Sequence, residues 1–217
     1  MAWTHNHDTA HFKAHGSQLS IELGSPLRIA FLSSSHAQTS PIAAFEIIPQ
    51  ETSVPSTTPM PPCTDAFIRQ RDLIASYAQE YPWPFAFQLD FRSHSSAVEG
   101  IETMELWLSV QTSLLTSHPQ LWVRPSADSP VTANGEMVVS ENHHVALMIH
   151  PLDREDCRSV ATSKHRIERV EAFGRFMEKG VIRRARILLA WSAHPVQAKQ
   201  WRAVYAPFAE SPLPLTA

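Results

Sequence analysis

Glycine is scarce in this sequence, with 6 residues in 217. Loops that wrap a nucleotide phosphate use glycines for left-handed backbone and close approach, so the scarcity argues against such loops. No glycine-rich phosphate loop, G-x-S-x-G elbow, H-E-x-x-H or C-x-x-C occurs. Cysteine is scarce too. Cys63 and Cys157 stand far apart, Cys63 within a proline-rich stretch. Two such residues make no metal framework, and the preferred reading is two unpaired thiols in a reducing compartment. There is no run of ~18 or more apolar residues, so no membrane helix is expected. The opening Met1-Ala2-Trp3-Thr4-His5-Asn6-His7-Asp8 has neither a basic start nor an apolar stretch, which makes the cytoplasm the default location. A positive excess is also missing, the net charge being −3 with histidines neutral. Duplex-coating proteins draw most of their affinity from phosphate neutralisation, so nucleic acid is not the expected partner. No motif implies a cofactor.

What the chain has in quantity is proline, 17 residues spread along its length. Proline at that frequency punctuates a chain into short segments, which leans toward strands and loops. The 43% hydrophobic share is enough for a sizeable core.

Residues 1–16 read as a flexible tail with His5, His7, His11 and His15 and few apolar partners. Such a tract binds metal loosely, without the rigid support of a fixed site. The main domain is expected over 17–195, with an extension over 196–217. Leu19, Ile21 and Leu23 alternate with polar residues, Gly24-Ser25-Pro26 turns the chain, and Leu27, Ile29 and Phe31 repeat the pattern. A third strand is expected over 43–48. Residues 49–63 hold five prolines among serines and threonines. They read either as a sub-domain boundary or as a loop spanning one end of the sheet.

Further strands are expected over 72–77, over 85–92 with Phe85, Phe87, Leu89 and Phe91 on one parity, and over 103–114. In the last of these Met104, Leu106, Leu108, Val110 and Leu114 share a face, and Trp107 alone of the large residues falls on the other. Short strands follow at 121–124 and 137–139, with Asn134-Gly135 as a turn. Residues 144–149 are apolar on both parities, as in a central strand covered on two faces. One helix is expected over 164–179, capped by Ser163, with Ile167, Val170, Phe173 (or Gly174) and Met177 at helical spacing and Gly180 as its stop. A strand over 181–191 comes next, and a short helical turn is expected near Trp201, Val204 and Tyr205. The pattern predicts a mainly β protein: an antiparallel β-sandwich, or a curved sheet covered by the 164–179 helix.

The chemistry-bearing residues give three readings. Eight basic residues lie between Lys164 and Arg186, namely Lys164, Arg166, Arg169, Arg175, Lys179, Arg183, Arg184 and Arg186. Helix and strand side by side would make a positive surface for an anionic ligand, an acidic partner or nucleic acid, with Arg175, Arg183, Arg184 and Arg186 as the residues to watch. A Glu171–Arg175 pair on a solvated helix face is the plainer reading. Trp107 is either exposed for binding or packed beneath the helix. His143, His144 and His150 with Asp153, Glu155 and Asp156 would supply a metal-dependent hydrolase. Yet six residues of strand separate His144 from His150 by about 20 Å, so surface histidines and a charged turn are the preferred reading there. The leading expectation is a non-enzymatic β-sandwich that binds another protein or a ligand. The hydrolase and the basic surface over 164–186 are its rivals.

Overall fold

A computed structural model of the chain describes residues 2–14, 16–35, 38–127, 130–134, 137–162 and 166–212. Two eight-stranded antiparallel sheets face one another. With strands numbered in chain order, the first sheet runs β1 (Ala2–Asn6), β2 (Thr9–Ala14), β3 (Ser17–Glu22), β4 (Leu27–Ser35), β5 (Gln38–Gln50), β10 (Gln120–Pro125), β15 (Ile167–Phe173), β14 (Cys157–Ala161). The second runs β11 (Val131–Asn134), β12 (Met137–Ser140), β13 (Val145–Ile149), β16 (Ile182–Trp191), β9 (Glu102–Gln111), β8 (Ala86–His94), β7 (Asp72–Tyr77), β6 (Asp65–Arg69). The architecture is a sandwich, as the alternation predicts.

Period-2 burial fills the space between the sheets. Leu19, Ile21, Ile29, Phe31, Phe45 and Ile47 of the first sheet meet Phe87, Leu89, Phe91, Met104, Leu106, Leu108, Ile187, Leu189 and Trp191 of the second. Two buried hydrogen bonds cross this core. Trp191 Nε1 donates to Ser17 Oγ at 2.9 Å, and Tyr77 Oη donates to the Leu23 carbonyl at 3.0 Å. Both cysteines are free thiols.

The helix lies elsewhere than expected. Residues 167–173 form β15, between β10 and β14, and the α-helix is α1 (Ala198–Ala209). Val160 pairs with Arg169 and Ala161 with Ile167, so Glu168 is an extra residue in the ladder. This bulge puts Ile167 and Val170, three apart, on the same inward face, and so imitates helical spacing. Phe173 (φ +70°) and Gly174 (φ +92°) then turn the chain away, and Met177 is buried from a loop. Ser163 and Lys164 lie outside the described residues. Trp201, Val204 and Phe208 of α1 cover Met137, Val139, Ala146, Met148, Leu188 and Ala190. That second core explains why β13 is apolar on both parities.

Residues 2–14 are likewise no loose tail. β1 and β2 form a hairpin whose turn is held by Asn6 Oδ1, which accepts from Thr9 N at 3.1 Å and Thr9 Oγ1 at 2.7 Å. Trp3 packs on Phe12 at 5.2 Å and on Phe91 of the opposite sheet at 6.2 Å. Alternation of Ala10 and Phe12 with polar residues hid among the histidines. His15 lies outside the described residues. The proline-rich segment after β5 carries the chain from one sheet to the other. Val54, Met60 and Cys63 pack against the core, and Trp83 Nε1 donates to the Pro59 carbonyl at 2.9 Å. Of the expected Asn134-Gly135 turn, Gly135 lies outside the described residues.

Candidate interaction surface

Two loops connect the sheets at one end of the sandwich: residues 112–119 between β9 and β10, and residues 174–181 between β15 and β16. Backbone pairing laces them together. Ser117 and Met177 exchange hydrogen bonds at 3.2 and 2.8 Å, Gly174 N donates to the Pro119 carbonyl at 2.8 Å, and Gly180 N donates to the Thr112 carbonyl at 3.0 Å. Glu51 adds an anchor from outside, its Oε2 accepting from Ser117 Oγ and His118 N at 3.1 and 2.8 Å. Loops fixed this way present their side chains without further ordering. Several of the exposed side chains on these loops, and at the start of β16, are apolar. Leu114, Leu115, Phe176, Val181 and Ile182, exposed by 40–79%, make up five of the nine exposed large hydrophobics among the described residues. A monomer gains nothing from such clustering, which is a mark of binding surfaces.

Ile182 joins this patch to a groove on the outer face of the second sheet. The groove, about 220 Å³, is lined by Ser76, Gln88, Ser109, Gln111 and Arg184 as well as Ile182. An adjoining depression of about 210 Å³ shares Ala86 and Gln111 with it and reaches Thr112, Lys179 and Gly180. Arg184 has no ion-pair partner among the described residues. Apolar anchors, hydroxyls, amides and one uncommitted guanidinium thus lie along a single path.

The rest of the expected basic surface is dispersed over both sheets, and Arg169, Arg175, Arg183 and Arg186 are each paired with a carboxylate. Arg169 lies on the outer face of the first sheet, stacked 4.3 Å over Trp122 and paired with Glu171 at 2.7 Å. Glu171 also receives Arg158 at 2.9 Å, so it makes no helical pair with Arg175. Burial opposes ionisation of Glu171, but the hydrogen bonds from both guanidiniums outweigh it and hold the carboxyl below its usual range. Arg175 pairs with Glu155 at 3.4 Å, and Arg183 with Asp156 at 3.7 Å while donating to the Phe176 carbonyl. Lys164 lies outside the described residues.

Arg186 is not a surface residue at all. It is 2% exposed, and Asp153 Oδ2 accepts from its backbone N and its Nε at 3.0 and 3.1 Å. Its Nη2 donates to His150 Nδ1 at 2.9 Å, and Nη1 to the Pro212 carbonyl at 3.4 Å. His150 Nδ1 accepts from Leu152 N as well, which places the ring proton on Nε2, toward Ser211 Oγ at 3.4 Å. Burial, and then the neighbouring guanidinium, push the His150 pKa down. Arg186 therefore fastens the 151–153 turn and the segment after α1 to the sheet.

Trp107 sits directly opposite Arg186 on β9 and is 5% exposed. The Arg92 guanidinium covers it at 3.7 Å, where the expected cover was a helix, and its Nε1 donates to Glu105 at 2.8 Å. Arg92 in turn pairs with Asp90 at 3.1 Å, and His94 lies 3.7 Å from Glu105. These side chains engage one another on the outer face of the second sheet.

The candidate hydrolase residues do not converge. His150 and Asp153 share the Arg186 guanidinium, and His144 Nδ1 lies 3.0 Å from the Ser192 carbonyl. No group of three or more His, Cys, Asp or Glu that could hold a metal occurs among the described residues. The depression of about 440 Å³ beside the start of α1 has one titratable group, His143, among Val139, Val196 and Trp201. No described helix is long and apolar enough to cross a membrane. The chain matches no known family profile, no curated protein and no solved structure.

Leu115 and Phe176 are not singled out by pattern, whereas Leu114 is expected on the inward face of a 103–114 strand and Val181 at the start of the next. β9 ends at Gln111 and β16 begins at Ile182, so both are exposed loop residues instead. The available signal was negative: hydrophobic residues beyond the last strand position, with no parity to satisfy.

Proposed function

We propose that the protein is a non-enzymatic binding module that docks a segment of another protein across the Leu115–Ile182–Arg184 path. The observation that carries this reading is the concentration of exposed hydrophobics on two mutually bonded loops beside a groove with an unpaired arginine. The matching partner has apolar side chains for the patch and a carboxylate for Arg184. Two unpaired thiols fit a reducing, cytoplasmic setting. A metal-dependent hydrolase using 143–156 has less support, because its candidate ligands serve Arg186 and backbone groups instead.

The test is selection of a random peptide display library on the full-length protein, with counter-selection on a Leu115→Asp/Ile182→Asp variant. Recovered peptides are expected to combine apolar residues with Asp or Glu. Arg184→Glu is expected to weaken them roughly 10-fold or more, the worth of one desolvated charge pair. Recovery only of peptides that bind wild type and the double variant equally would overturn the proposal.

A further inference from the structure

Edge strands are the places where a sheet can recruit another chain, and folds normally guard them. One lateral side of this sandwich is guarded: β14 pairs with β15 across the Glu168 bulge, and Thr132 bridges Arg166 there. At the other side β6 ends the second sheet. Its sequence is Asp65-Ala66-Phe67-Ile68-Arg69, without proline, lysine or a break in register, and four of the five residues are exposed. Phe67 and Ile68 are each 41% exposed.

The two-residue turn at Gln70 and Arg71, with Gln70 at φ +58°, fixes which backbone groups remain free. Residues flanking such a turn form a hydrogen-bonded pair, here Arg69 with Asp72, and the pattern alternates from there. Arg69, Phe67 and Asp65 therefore spend their N–H and C=O groups on β7. Ala66 and Ile68 direct theirs outward.

We propose that β6 pairs antiparallel with β6 of a second copy, about a two-fold axis through Phe67, joining the two second sheets into one. In this register Ala66 faces Ile68 of the partner subunit, and these are the residues with free backbone groups, so two pairs of hydrogen bonds close. On the outer face Phe67 meets its own copy. Asp65 lies opposite Arg69 of the partner subunit, and Arg69 opposite Asp65 of the partner subunit. Neither side chain has an ion-pair partner within the chain among the described residues. The charges that would repel a mismatched strand therefore complement a second copy of the same strand. A five-residue pairing covers little area, so the dimer is weak and concentration-dependent.

Sedimentation equilibrium of the full-length protein over a range of concentrations tests this. Wild type is expected to pass from monomer to dimer. Asp65→Arg and Arg69→Asp, each creating two like-charge contacts because of the symmetry, are each expected to weaken dimerisation roughly 10-fold. The double variant Asp65→Arg/Arg69→Asp restores it to near the wild-type value. Hydrogen exchange is expected to show the amides of Ala66 and Ile68 becoming protected as concentration rises, with thermal melts confirming that every variant is folded. A monomer at all concentrations would overturn the inference. So would a dimer indifferent to the single reversals, or a double variant no better than either single one.

Discussion

A carboxylate gripped by two guanidiniums ties stability to acid in a definite direction. Glu171 is 6% exposed, with Arg158 on one side and Arg169 on the other. Its folded pKa lies below the usual value, so its contribution is complete above the unfolded pKa and is lost as pH falls through the folded one. Glu171→Gln removes one of the two carboxylates on the partly buried Arg169, which keeps its 2.7 Å pair with the more exposed Glu168. The expected cost is about 1–2 kcal/mol near neutral pH, well below the full penalty for a broken buried pair because Arg169 keeps Glu168 and Arg158 is mostly exposed, and urea denaturation measures it. The difference from wild type should shrink as the medium becomes acid enough to protonate the carboxylate. His150 acts in another window. Its folded pKa is depressed by burial and by Arg186, so the unfolded chain binds the extra proton first and stability falls as pH drops below about 6.5. His150→Asn keeps an acceptor near Arg186 and removes the titration. Melting temperatures taken across pH 7 to 5 should slope downward in wild type and stay flatter in the variant.

Elements whose periodicity is undisturbed could be read directly. β8 and β9 have one face between the two sheets, and apart from Trp107 on the outer face their large apolar residues follow the alternation that sorts Phe87, Leu89, Phe91 and Met104, Leu106, Leu108, Val110 inward. β15 could not be read so, because the extra Glu168 turns a period of two into a local spacing of three. α1 was legible only as a short turn near Trp201, Val204 and Tyr205, since Pro207 within its last turn argues against a full helix in sequence. The binding-surface residues were legible in part: Arg184 on parity and charge, Leu114 and Val181 only as misplaced strand residues, and Leu115 and Phe176 not at all, because loops have no period. Arg186 looked like surface in sequence because the acid that neutralises it, Asp153, lies 33 residues away. Truncating the core residue of α1 by Trp201→Ala is expected to cost about 3–5 kcal/mol, read by chemical denaturation. A substitution of the exposed Lys199 should leave stability within about 0.5 kcal/mol.

At the level of the whole molecule, the chain crosses between the sheets repeatedly, so neither sheet is built from one continuous stretch of sequence. Removing residues 1–14 takes away Trp3, Ala10 and Phe12 together and uncovers β3 as a long unguarded edge. The expected result is an aggregating product, seen as loss of the native peak in size exclusion, where removal of a loose tail would change nothing. The contact between the two halves is mostly hydrocarbon, and hydrocarbon contact has no preferred direction. One layer could slide over the other by a residue and bury much the same area. Trp191–Ser17 and Tyr77–Leu23 forbid that, since any slip would strand a buried N–H or O–H. Two dowels, each a single hydrogen bond, turn a greasy joint with many seats into one with a single seat.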